Sequence, residues 1–460
     1  MDQSGERSDE DRSPRGWLAR MLRPDWMERD AYLLLLARTA MSVTRAMAGI
    51  LAPIYLALIG FSALQLGALF TVGAVTSAII STSSGLLSDR IGRKVFLVVV
   101  PLFAAAAGLV FGFSRAVPVI FFFSALGSFG RGAGAGGGMI GPYQPVEQAY
   151  LAGSVKSRYR NALFGRVGFA SSLGALIAGP LAGIPALVQQ MTGVSTIEAY
   201  RPAFVVTALL AVVASLLALP IHDQKPQRPS IAPQAQTRRA WRPRLPRLHL
   251  SRPTWGILLR LSATNLVNGL AIGFFGPFIT YWFFRRYGAG SAEIGLLYAI
   301  INLAALVSNL QAANVARRLG LVRAISIGRM LQAVLMVPMV LAPSFWLAGG
   351  IYLLRMFAQR MALPLRQSYV MGVVPAEERG RVSAISTLPS QVTMAVTPPL
   401  AGYLFDQVSL SLPFEVGALL QAINAAMFWL FFRNMRPPEE QPREPRVASA
   451  EPETAAKPSA

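Results

Sequence analysis

The sequence predicts an all-α polytopic membrane protein: twelve transmembrane helices arranged as two pseudo-symmetric six-helix bundles. Three observations carry this expectation. Of 460 residues, 53% are hydrophobic and only 14% charged, whereas a soluble chain carries about a quarter charged residues. The apolar residues gather into blocks of about twenty, the length that crosses roughly 30 Å of hydrocarbon as a helix. The chain also repeats itself. Residues 145–183 align without gaps to 364–402, with Pro145/Pro364, Gln148/Gln367, Tyr150/Tyr369, Gly153/Gly372 and Arg160/Arg379 identical and GPLAG at 179–183 facing PPLAG at 398–402. Gly49 and Pro53 match Gly273 and Pro277, while Gly67 and Gly92 match Gly295 and Gly320. Parallel six-helix halves account for such a repeat.

In chain order the expected spans are 31–59, 63–86, 95–113, 117–143, 161–187 and 201–220, then 254–284, 291–313, 323–343, 345–366, 382–405 and 412–433. They divide the chain into an N-terminal tail (1–30), an N-terminal bundle (31–221), a linker (222–253), a C-terminal bundle (254–435) and a C-terminal tail (436–460). The linker is rich in Pro, Gln and Arg and predicts a semi-extended segment without a core. The last tail reads as disordered. In the first, Trp17, Leu18, Met21 and Leu22 share a helical face, which fits either an interfacial helix or a disordered stretch. The first thirty residues hold no apolar signal-peptide core, so the chain is expected to start as a cytoplasmic tail.

Charge orients the spans. One set of loops holds Arg90, Arg93, Lys94, Lys156, Arg158, Arg160, Arg317, Arg318, Arg323, Arg379, Arg381 and the linker; the other holds only Arg115, Arg201, Arg285 and Arg286. The positive-inside rule then sets both termini in the cytoplasm of a cell membrane. The net charge of +21, from 43 basic and 22 acidic residues, reflects these loops and not a nucleic-acid partner. With no cysteine, thiolate metal sites and cysteine nucleophiles are excluded. Both histidines, His222 and His249, fall in the linker. No close acid pair, nucleophile with a base or P-loop occurs within the spans, so no enzyme, metal site or cofactor is expected. Gly132, Gly134 and Gly137 match G-x-G-x-x-G, but the flanks are membrane helix and no acid stands about twenty residues on, as a dinucleotide site requires.

Between the second and third spans, Gly85, Leu87, Asp89, Arg90, Gly92, Arg93 and Lys94 stand in the order G-x-L-x-D-R-x-G-R-K. This stretch resembles the signature loop of the major facilitator superfamily, and the resemblance extends over residues 30 to 435 in layout. It implies a secondary active transporter that works by alternating access, with this loop fastening the two halves in one conformation. In the second half the acid's place is taken by Arg317. GALIAGPLAG in the fifth span resembles the family's antiporter motif, although Gly174 stands five before Gly179 and Ile184 replaces the last glycine. Gly179 and Pro180 are therefore candidate gating residues. Arg131 sits where proton-linked exporters carry an arginine motif, with Gly134 in place of the usual Gln.

In the family the first, fourth, seventh and tenth spans line the cavity, and three of them carry arginines here: Arg45, Arg131, Arg355 and Arg360. An arginine facing lipid costs several kcal/mol, so these are expected to face the interior as substrate or relay groups, or to find backbone and polar partners. Arg38 is expected to snorkel to the cytoplasmic surface. Glu147 is the plausible functional acid. With its repeat partner Arg366, or with Arg381, it is expected to form a cytoplasmic gate. Tyr55, Asn265, Asn268 and Tyr281 are candidate substrate contacts, and Asn302 and Asn309 share a helix face. The expected function is export of a small solute, with protons as the candidate coupling ion and a monomer as the working unit. Uptake or exchange of an organic anion is the alternative; a non-transporting membrane sensor is the remote one.

Overall fold

A computed structural model of the chain describes residues 24, 26–127, 144–156, 159–223, 251–375 and 378–435; for Leu86, Asp89, Arg90, Asn161 and residues 306, 307 and 309–313 it describes the backbone alone. Arg131 with its glycines, the candidate interfacial helix, most of the linker and the C-terminal tail lie outside the described residues.

The N-terminal half runs α1 (Arg29–Leu58), α2 (Ala63–Ile91), α3 (Arg93–Phe113), α4 (Val117–Gly127), α5 (Gln144–Gly153), α6 (Arg160–Leu181), α7 (Ile184–Thr192) and α8 (Thr196–Ala218). The C-terminal half runs α9 (Arg252–Phe275), α10 (Ile279–Tyr287), α11 (Ser291–Leu319), α12 (Leu321–Leu341), α13 (Phe345–Val373), α14 (Arg379–Gln407) and α15 (Leu412–Phe432). Every expected span carries helix, and among the described residues eight stretches are long and apolar enough to cross a membrane. Two further spans, α13 and α14, are long but less apolar. The first carries Arg355, Arg360 and Arg366, and the second holds Pro389, Pro398 and Pro399 among serines and threonines. The helices are apolar nearly all round, and Ile79, Phe122, Phe169, Leu209, Leu354, Val396 and Leu419 are all more than half exposed on the surface. A membrane protein presents such a belt to lipid, while a soluble one would bury it.

Two spans differ from the single helices expected. The fifth breaks after Pro180 into α6 and α7, and the seventh breaks at Gly276–Phe278 into α9 and α10. Pro277 offers no N–H to the helix, and Gly276 before it is a weak helix former. Pro53, its repeat partner, stays inside an unbroken α1, where Ala52 precedes it.

The sequence repeat is visible as matched local structure. Gly92 and Gly320 both turn the chain at positive φ, 106° and 79°, a conformation that favours glycine. Tyr150 Oη donates to His222 O at 2.9 Å, and Tyr369 Oη donates to Met435 O at 3.2 Å. Arg160 and Arg379 each donate Nε back to the end of the preceding helix, to Ala152 O and Val374 O.

The halves meet along α2 with α14 and along α6 with α11. At Gly67 and Gly402 an added Cβ would strike the Pro398 and Ala63 carbonyls, and at Gly179 and Gly295 each would strike the other's backbone. Small residues allow this approach, as in other membrane helix pairs. Asp406 of α14 accepts the first amides of α2, from Ala63 at 3.0 Å and Leu64 at 2.8 Å, and so caps a helix of the other half. Thr71 Oγ1 donates to Ala395 O at 2.6 Å. Phe70 meets Phe278 edge-on at 5.4 Å. All of these contacts lie toward the end away from the basic loops. At the basic end the described bonds remain within one half: Asp223 to the Arg93 amide at 3.1 Å, and Glu378 to the Ser251 amide at 3.0 Å.

Candidate functional site

Polar groups inside the bundle collect in two places. In the N-terminal half, Glu147 on α5 is fully buried and is the one buried carboxylate among the described residues. Arg38 on α1 binds its Oε2 through Nη1 and donates Nε to Ser171 Oγ of α6 at 2.8 Å. Glu147 Oε1 is buried with no hydrogen-bond partner among the described residues, and Arg45 acts on the carboxylate by charge attraction. Arg38 is 9% exposed, so it does not snorkel as expected. It turns inward to Glu147, a buried carboxylate that would be costly to leave without a partner.

In the C-terminal half a cavity is lined by Asn268 and Ile272 of α9, Arg329 and Gln332 of α12, Arg355, Gln359, Ala362, Leu363 and Arg366 of α13, and Gln421 of α15. Helical spacing brings these groups together. Arg329 and Gln332 are one turn apart, as are Arg355 and Gln359, and Arg366 lies three turns beyond Arg355 on the same face. Arg329 binds Asn424 Oδ1 and stands over the Phe428 ring at 4.9 Å. Arg355 stands over Phe275 at 4.3 Å and reaches Gln359 Oε1 at 3.4 Å. Arg366 binds Asn265 Oδ1, while Asn265 Nδ2 donates to Ser386 O at 2.5 Å. The ring faces stabilise the desolvated Arg329 and Arg355 cations by about 2 kcal/mol each.

The sequence candidates distribute unevenly over this frame. Asn268, Arg355 and Arg366 line the cavity; Arg360 sits one position past Gln359 on α13, outside the lining. Tyr55 packs at a tilt on Tyr200 and edge-on against Phe204 in the core, and Tyr281 packs between Phe278 and Phe405, so both are packing residues in this conformation. A Cβ added at Gly85 would meet Pro145 only at ordinary contact distance. Gly92 makes the turn, and Arg93 donates Nη1 to Ala149 O at 3.1 Å. The side chains of Asp89 and Arg90 lie outside the description. Gly179 with Pro180 stands at the seam between halves, and Arg381 is exposed beside Glu378. Glu147 meets Arg38, while Arg366 and Arg381 lie in the other half; the expected cross-half gate is not formed here. Sequence reasoning passed over Arg329, Gln332, Gln359 and Gln421, yet an arginine and three glutamines at helical spacing inside spans were a readable signal.

The model of the Major Facilitator Superfamily matches residues 34–266 and again 261–457. This chain belongs to that superfamily. It is a multi-pass membrane transporter of small solutes, built as two repeats of one six-helix unit. The multidrug resistance protein MdtG of Citrobacter koseri is 24% identical over 393 residues, covering 84% of this facilitator and 90% of the relative. An uncharacterized membrane protein of Saccharomyces cerevisiae, YJR124C, is 22% identical and covers 74% and 81%. Among solved structures, a bacterial homologue of the human lysosomal transporter Spinster superposes with a TM-score of 0.64 at 13% identity, over 89% of this chain and 98% of the other. A D-xylose–proton symporter superposes equally well, at 14% identity over 87% and 97%. Both establish the shared fold.

Proposed function

We propose that this facilitator exports a small amphipathic solute from the cytoplasm across the cell membrane, driven by protons, with both termini inside the cell. The observation that carries the reading is the one-ended closure of the halves. Asp406, Gly67, Gly402 and the Gly179–Gly295 crossing hold the end away from the basic loops shut, whereas no described bond joins the halves at the basic end. With the basic loops placed in the cytoplasm, this is the state that loads solute from inside. The MdtG relatives, which cover most of this chain at 24% identity, support export over uptake. Glu147 is the group for coupling: the buried carboxylate inside the bundle, paired with Arg38 here and free to exchange a proton when the pair opens.

Inverted vesicles from an efflux-deficient bacterium expressing the chain test this. Energised vesicles should concentrate an amphipathic fluorescent dye, collapse of the pH gradient should release it, and Glu147→Gln should abolish gradient-driven accumulation. Accumulation equal to empty-vector vesicles across a panel of cationic, neutral and anionic dyes would refute export.

A further inference from the structure

The cavity of the C-terminal half measures about 50 Å³, several times the roughly 10–15 Å³ that admits one water. Its lining is unusual in sign. Arg329, Arg355 and Arg366 all reach it, Arg355 is 1% exposed and Arg329 5%, and Arg366 repels Arg329. Buried cations are costly unless an anion meets them, and among the described residues of this half no carboxylate does. Its acids are Glu293, Glu377, Glu378, Asp406 and Glu415. Glu293 and Glu415 lie in the first turns of α11 and α15; Glu378, next to Glu377 in sequence, holds Ser251, and Asp406 caps α2. None of the four described acids lines the cavity. Neutral acceptors and ring faces partly serve the guanidinium groups, yet Nε of Arg355 and Nε of Arg366 are buried without a hydrogen-bond partner among the described residues. Gln332, Gln359 and Gln421 add amide groups around the same space.

We infer that this cavity binds the anionic group, carboxylate or phosphate, of a small organic solute. Guanidinium forks match both groups with paired, charge-assisted hydrogen bonds, and the glutamine amides donate to the remaining lone pairs. The space fits the head group of such a solute. The assignment rests on the transport reading above, since it names the chemistry of the solute carried.

The purified full-length protein is titrated with benzoate, phenyl phosphate, neutral benzamide and benzylammonium, followed by calorimetry and thermal unfolding. The anions should bind about tenfold or more tighter than benzamide and benzylammonium, the margin of one charge-assisted hydrogen bond. Arg355→Gln should weaken anion binding by a similar factor of about ten. Because that change also removes packing on Phe275, Gln421→Glu is the second variant. It supplies a resident carboxylate, so it should raise the unfolding temperature without ligand and abolish the benzoate-induced rise. Exposed Arg318→Gln should bind benzoate like the parent. Benzamide binding as tightly as benzoate, or Gln421→Glu retaining full anion affinity, would overturn the assignment. Lost anion preference with dye efflux intact removes the anion site and leaves export standing. Anion binding without efflux of any dye does the reverse.

Discussion

Arg38 and Glu147 show how one contact changes the meaning of a residue. From its place near the basic end of the first span, Arg38 reads as a side chain reaching for the interface, and Glu147 as half of a gate between halves. Together they form a buried pair within the N-terminal half, joined to Ser171. Such a pair adds little net stability, because desolvating both charges offsets their attraction; removing one partner is what costs. Arg38→Met is therefore expected to destabilise the protein by about 3 kcal/mol or more. Adding Glu147→Leu to it should restore most of that loss. Denaturant unfolding of both variants measures the difference, and a double variant no more stable than Arg38→Met would show that the pair is not the energetic unit.

At the scale of elements, the repeat and the seams coincide. Gly67 and Gly295 are repeat partners, as are Gly183 and Gly402, and Gly179 aligns with Pro398. In space Gly67 lies on Pro398, and Gly295 lies on Gly179. Each seam therefore joins the second span of one half to the fifth of the other, with pseudo-twofold symmetry. The close approach demands small residues in both copies, which is why the repeat is legible there. Gly402→Leu places a branched side chain against the backbone of Ala63 and Leu64 and should pry the α2–α14 seam apart. Because the chain has no cysteine, a single Phe278→Cys reporter is clean. Its labelling by a membrane-impermeant thiol reagent from outside the cell should speed up by about tenfold, equivalent to some 1.4 kcal/mol of shifted equilibrium. Unchanged labelling would mean that this seam does not hold the outer end closed.

For the whole molecule, closure at one end, with no bond between the halves among the described residues at the other, is the proposed loading state, and its direction depends on orientation in the bilayer. The orientation proposed above, from the positive-inside rule, has both termini in the cytoplasm. A cysteine appended after Ala460 should resist an impermeant thiol reagent in intact cells and react within minutes after permeabilisation, and so should one placed before the first span. Labelling of either terminus in intact cells would reverse the orientation and turn the export state into an uptake state.

Twelve apolar blocks, the loop charges and the internal repeat were legible because the bilayer imposes length, polarity and orientation locally, block by block. The signature loop around Gly92 was legible because a tight turn needs glycine whatever surrounds it. Packing decided the rest. Arg355 and Arg366 could be placed in a span by sequence, but their meeting with Arg329 depends on how α12 and α13 face each other. Pro53 and Pro277 carry the same signal, and only Gly276 beside the second one tips it to a break. Tyr55 and Tyr281 look like solute contacts until the aromatic rings around them are seen. Partner choice for a buried charge is a long-range matter: Arg38 finds Glu147 109 positions away, and no local rule ranks such a partner above the interface.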